Sequence, residues 1–433
     1  MYTGSMATRR RFLQSAAAAV AAVGYSPSAL AADFDPSSWS SVRDQFALDE
    51  GETNFATFLL SPHPKPVRDA IDRYRTALDR DAKRYLDEEE GAAENRVTSA
   101  AATYLEVRAD EIALTENTTM GLALVYGGLR LRPGQEVVTT THDFYSTHES
   151  LRLRAIRTGA RVRRVRLYRD ARAVSIDEVV SAVRRSVSDR TRALALSWVH
   201  SSTGVKLPIR AIADALRPVN RDRAPADRIL LCVDGVHGFG VEAATPAELG
   251  SDVLITGCHK WLFGPRGTGL VWAHPAAWSA VTPTIPSFDG RAVGAWMRGQ
   301  PPRLPRAAAT TPGGFHSFEH RWALREAFDF RTEIGQARVE ARTRELAARL
   351  KAGLRQIAGV RLVTPDAPAL SAGLVCFSVG SRDPADVVAR LYERARIVAS
   401  VTPYAARYVR FGPSIVNSPE DVDLALRTIR GLT

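Results

Sequence analysis

Two neighbouring apolar runs constrain this chain more than any other feature. The first, Ile229-Leu230-Leu231-Cys232-Val233, ends on Asp234-Gly235-Val236-His237. The second, Val253-Leu254-Ile255-Thr256, ends on Gly257-Cys258-His259-Lys260-Trp261-Leu262 and then Gly264-Pro265-Arg266-Gly267-Thr268-Gly269. Short apolar runs closed by glycine and charge read as strands buried on both faces, as in a parallel sheet. Open α/β sheets bind ligands at the carboxyl ends of their strands, so one edge gathers an acid, an imidazole and an amine. The amine is informative. Of 58 basic residues only five are lysines, at positions 65, 83, 206, 260 and 351. A chain that nearly always chooses arginine has placed lysine where an amine can form a Schiff base and a guanidinium cannot.

That chemistry is the chemistry of pyridoxal phosphate. Lys260 would hold the cofactor, and Asp234 would keep its pyridine nitrogen protonated, making the ring an electron sink. His237 would reach the phenolic oxygen or the ring face. Either Asp234 or Lys260 alone reads as an ordinary strand-end residue; the pair in this context does not. The Asp-x-x-His tip and the His-Lys-Trp-Leu-x-Gly-Pro-x-Gly-x-Gly run resemble the class V aminotransferase family of fold type I enzymes, and its isopenicillin-N-epimerase-like branch in particular. The resemblance spans most of the chain. It implies a seven-stranded, mostly parallel α/β sheet domain that binds the cofactor, a smaller α/β C-terminal domain, and a homodimer with active sites at the subunit interface.

The pattern between residues 111 and 274 agrees with that expectation. Strand-like runs at 111–116, 136–141, 161–167, 192–199, 229–234, 253–256 and 268–273 alternate with helical stretches at 120–129, 148–158, 176–185, 209–216 and 246–249. Such alternation indicates a mostly parallel sheet covered on both faces. A long helical pattern from 319 to about 357 leads into a second unit, with strands near 359–364, 374–379 and 408–412 and helices at 384–394 and 419–430. The expected division is a segment at 33–60 that joins the small domain, a large domain at 61–318, and a connecting helix with the small domain at 319–433. The proline-rich stretch 283–312 reads as a surface excursion.

Further groups fall at strand ends. Asn117-Thr118-Thr119 opens a helix after the first strand, where capping side chains, free N–H groups and the helix dipole suit a phosphate. The resemblance implies a phosphate contact for Thr118 and Thr119, and another for His259. It also places a stacking ring after the second strand: Tyr145, with Phe144 and His142 as rivals. Ser201, after the fourth strand, stands where relatives carry an asparagine beside the cofactor, and Cys258 where relatives often carry serine. Val409-Arg410-Phe411-Gly412 resembles the stretch whose arginine binds the substrate's α-carboxylate through a bidentate pair.

Departures from the family pattern bear on the reaction. Residues 396–410 contain no cysteine, which argues against persulfide chemistry. Gly314-Phe315-His316-Ser317 and the loop 56–61 replace segments that line the substrate side in relatives. A preserved cofactor side with an altered substrate side resembles the exported enzymes that tailor pyoverdine-type siderophores. The expected reaction is transamination or oxidative tailoring at the Cα of an amino-acid group in a small or peptide-like metabolite. Epimerisation, with Tyr145 or His200 as the second acid, comes next, and C–S cleavage third. A non-catalytic binding protein on the same fold would have no use for Lys260.

Met1 to Ser5 read as a cloning remnant. Arg9-Arg10-Arg11-Phe12-Leu13, an Ala/Val-rich run and Ala29-Leu30-Ala31 then match a twin-arginine export signal, implying a periplasmic or secreted protein matured near residue 32. No later stretch is long and apolar enough to span a membrane. The formal charge of +11 does not indicate nucleic-acid binding, because the arginines are scattered and no basic stripe alternates with aromatics. Cys232, Cys258 and Cys376 sit in apolar runs and read as core residues. No metal-ligand pattern is present.

Overall fold

The computed structural model describes residues 34–433; the export signal read in the sequence lies outside the described residues. The strands are β1 (Thr53–Asn54), β2 (Ile112–Thr115), β3 (Glu136–Thr140), β4 (Arg161–Val165), β5 (Thr191–Ser197), β6 (Leu230–Asp234), β7 (Val253–Gly257), β8 (Gly269–Ala273), β9 (Val360–Leu362), β10 (Val375–Val379), β11 (Ile397–Val398), β12 (Ser400–Val401) and β13 (Val409–Phe411). Seven form one sheet in the order β2-β8-β7-β6-β5-β3-β4. β8 runs antiparallel to both its neighbours, and the remaining pairs are parallel. All seven expected strands are present, with ends shifted by a residue or two. Strands β2, β3, β5, β6, β7 and β8 are buried along their whole length. This is why they read as continuous apolar runs rather than alternating ones.

Helices at Thr118–Gly128, Tyr145–Thr158, Ile176–Ser186 and Ile209–Arg221 follow β2, β3, β4 and β5 and cover the sheet. Two more, Lys65–Arg80 and Ala82–Leu105, precede β2. The long helical pattern after residue 318 is three helices, Phe318–Trp322, Leu324–Ile334 and Gln336–Arg355. The last break falls at Gly335, whose φ of 90° is closed to most side chains. The excursion at 283–312 carries helices Gly290–Met297 and Arg306–Thr310.

The C-terminal unit has an antiparallel sheet in the order β12-β13-β10-β9 and its own buried cluster, including Leu346, Leu350, Phe377, Leu391, Phe411 and Ile429. The N-terminal segment reaches this unit: β1 pairs in parallel with β11, and Phe55 stacks on Phe411 with centroids 4.8 Å apart. The three cysteines are free and fully buried. No helix among the described residues is long and apolar enough to cross a membrane.

Candidate active site

The parallel strands deliver their carboxyl ends to one edge of the large sheet, and the loops that follow them meet the C-terminal unit there. Between them lies a cavity of about 190 Å³. Asp234 from the end of β6, His237 three residues on, His259 and Lys260 from the loop after β7, Thr118 and Thr119 after β2, Ser201 after β5, and Arg410 from β13 all line it. A cavity of about 1170 Å³ lies at the opposite edge. The ionisable side chains rather than the volume identify the smaller one as the site of chemistry.

Burial sets the charges here. Asp234 is 3% exposed, and burial pushes its carboxyl up to about 6, although the Val236 N–H donates to Oδ1 at 3.1 Å and Lys260 favours the anion. Burial likewise pulls the Lys260 amine down to about 8 against the attraction of Asp234. A cationic ring nitrogen beside Asp234 would favour its carboxylate further by adding an opposite charge in direct contact. The Trp261 indole N–H donates to His237 Nδ1 at 3.2 Å. Burial holds the His237 ring well below its usual pKa and therefore neutral. Its proton then sits on Nε2, which lies 3.5 Å from Lys260 Nζ.

Two buried polar atoms have no hydrogen-bond partner at this site, Thr118 Oγ1 and His259 Nδ1. Both crowd Gly257: a Cβ there would stand 3.0 Å from Thr118 Oγ1 and 2.9 Å from His259 Cε1. They flank the first turn of the Thr118–Gly128 helix, which Asn117 caps by accepting from the Met120 N–H at 2.9 Å. Unpaired donors at a helix N-terminus fit a phosphate. With Lys260 and Asp234 beyond them, the residues present suit pyridoxal phosphate from phosphate to ring nitrogen.

On the other side, Arg410 is 3% exposed, and among the described residues no carboxylate pairs with it. Its Nη1 donates to the Ser201 carbonyl at 3.0 Å and its Nε to Ser400 Oγ at 3.1 Å, with the guanidinium 4.8 Å above the Phe58 ring. Phe58 also stacks on Trp261 at 5.9 Å. Gly412 makes room for it, since a Cβ there would lie 2.3 Å from the Phe58 ring.

The structure does not bring every expected residue in. Tyr145 is 68% exposed and does not line the cavity, whereas Phe144 does. The cause is Asp143, whose carboxylate accepts from the Ser197 and Thr140 N–H groups and from Thr139 Oγ1. That anchor turns the next side chain inward, and the helix begins at Tyr145. His142 stacks on Tyr168 instead, with centroids 3.9 Å apart. His200 is buried behind the cavity, its Nδ1 bonded to Tyr168 Oη at 2.9 Å. Neither Tyr145 nor His200 is therefore placed as a second acid. Cys258 is fully buried and does not line the cavity. Tyr404 went unrecognised in the sequence. Its hydroxyl pairs with Ser201 Oγ at 2.7 Å and its ring meets Phe144 edge-on at 5.9 Å.

The model of the class V aminotransferases matches residues 60–424. The chain belongs to that family. Its members depend on pyridoxal phosphate, so this chain is a pyridoxal phosphate enzyme. It is 26% identical over 404 residues to isopenicillin N epimerase of Streptomyces clavuligerus, covering 91% of this chain and 98% of that one. It is 28% identical over 370 residues to isopenicillin N epimerase of Amycolatopsis lactamdurans, covering 83% and 89%. In fold it is similar to a lysine-to-alanine mutant of C-DES with glycine covalently linked to the cofactor, at a TM-score of 0.81 and 20% identity over 90% of this chain and 98% of that one.

Proposed function

We propose that this class V enzyme works at the Cα of an amino-acid group in a small or peptide-like metabolite, in a transamination or oxidative tailoring reaction. One observation carries the reading: Lys260 is the one amine among the residues lining the cavity, and the buried Arg410 shares that cavity with it. In this reading Thr118, Thr119 and His259 hold the cofactor's phosphate, Asp234 its ring nitrogen, and Arg410 the substrate's α-carboxylate. Pyridoxal phosphate, when bound, spreads the electrons left at Cα and so acidifies the bond to be broken. Lys260, with its amine already pulled down to about 8, takes the Cα proton. Arg410, oriented by Ser201 and Ser400, keeps its remaining N–H groups for the carboxylate. A base working alone returns a proton only to the face it came from, so inversion is not the expected outcome.

Epimerisation is the second reading, favoured by Tyr404. Burial keeps its phenol protonated, which suits a second proton donor in the cavity that Lys260 lines, and the near-full-length similarity to isopenicillin N epimerases adds support. Incubation with amino acids and peptides in deuterated water separates the two. A keto product, or oxygen-dependent loss of carbon dioxide, supports the first. Deuterium at an inverted Cα supports the second. The absence of any exchange or product across substrates with a free α-amino carboxylate would sink both. A homodimer belongs to this reading, supported by the exposed Phe288, Trp296 and Met297 of the excursion. An active monomer at micromolar concentration, read by sedimentation, excludes it.

A further inference from the structure

The cavity of about 1170 Å³ lies at the amino edge of the large sheet, where the chain enters β3, β5, β6 and β7 and leaves β8. It is lined by five arginines (130, 132, 154, 192 and 228) and by one carboxylate, Asp252. Asp252 Oδ2 is occupied by the Leu231 N–H at 2.8 Å. Arg132 is paired with Asp227. The other four have no carboxylate partner among the described residues, and those bonds of theirs that are recorded go to backbone carbonyls.

Two of these arginines are informative because they are not simply solvated. Arg192 is only 4% exposed, and its guanidinium donates to the Arg228 carbonyl. Burial disfavours its charge most, Asp252 offsets part of that from a distance, and Arg132 and Arg228 oppose it. Arg154 donates to the Gly127 and Leu129 carbonyls, and its buried Nε has no partner. A guanidinium withdrawn from water without a carboxylate in bonding contact is costly, and like charges nearby add to the cost. Folding has nevertheless grouped these side chains over an apolar floor that includes Leu129, Leu230 and Trp272. The arrangement is complementary to oxyanions, which guanidinium groups bind through paired N–H donors.

We infer that this cavity is a binding site for a small multivalent oxyanion, a phosphate ester or a polycarboxylate, separate from the catalytic cavity at the opposite edge of the same sheet. The negative groups pair with Arg192, Arg228 and Arg154, and the apolar floor takes the body of the ligand.

The test is calorimetric titration of the holoenzyme, whose own phosphate site is filled, with pyrophosphate, phenyl phosphate and citrate, each against sodium chloride of equal ionic strength. Saturable binding at one site per chain is expected, weakened about tenfold in Arg192→Gln through loss of a charge-assisted pair. Where Arg192→Gln fails to fold, the exposed Arg228→Gln gives the same reading. Binding of the two phosphates alone identifies a phosphate-ester site, and binding of citrate alone a polycarboxylate site. The inference is overturned if none of the three saturates up to about 10 mM, or if binding survives unchanged in the variants.

Discussion

The two edges of the large sheet use the same strands for opposite electrostatic ends. At the carboxyl edge a small, crowded cavity drives ionisable groups toward neutrality: Asp234 rises to about 6, Lys260 falls to about 8 and His237 is held uncharged. At the amino edge a wide cavity collects arginines, whose charge burial cannot remove at any ordinary pH. An amine that loses its proton can act as a base or nucleophile, and a guanidinium can only bind. Lys260 can do chemistry at one edge, whereas the arginines of the other edge, like Arg410 beside Lys260, are suited only to recognition.

The contrast is broken most severely if Lys260 proves dispensable. Lys260→Ala is expected to lose the borohydride-reducible visible absorbance of the holoenzyme and to lower turnover by about 10³-fold. Retention of both would move the chemistry elsewhere. A pH series sharpens the point. A lysine whose pKa is lowered is neutral above the lowered value, so capture of pyridoxal phosphate by apoenzyme should rise about tenfold per pH unit up to pH 8 and level off there. A rate still climbing toward pH 10 would place Lys260 with solvated amines. The smallest effect tests Arg410, the arginine that lines the catalytic cavity. Arg410→Lys keeps the charge but loses the paired donors, and a KM rise of about tenfold with kcat nearly unchanged is expected for substrates with a free α-carboxylate. Equal losses for decarboxylated analogues would deny Arg410 that role.

Legibility followed locality. Asp234 with His237, and His259 with Lys260, are close in sequence, and buried strands announce themselves as apolar runs, so the sheet and its cofactor edge were readable. The altered loop at 56–61 could be seen as a departure, but the wedge of Phe58 between Arg410 and Trp261 depends on residues hundreds of positions away. Tyr404 reaches Ser201 across 203 residues. The choice between Phe144 and Tyr145 turned on one residue of register, decided by three hydrogen bonds to Asp143 that no pattern displays. The arginines of the amino edge were dismissed as scattered for the same reason. They lie on a strand, a helix and separate loops, and only the folded sheet with its covering helices brings them together.

The pairing of β1 with β11 also has a consequence for how the molecule is made. Glu52 receives the Arg396 side chain from 344 residues away, and the Phe55 carbonyl accepts from the Gly412 N–H at 2.8 Å, two residues beyond Arg410. Contacts of such span close last, because the entropy of a long loop is lost before they form. During synthesis β1 must wait, unpaired, until nearly the whole chain has emerged. The pocket for the substrate's carboxylate is therefore among the last parts of the protein to exist, while the cofactor edge can assemble earlier from strands that already have their neighbours.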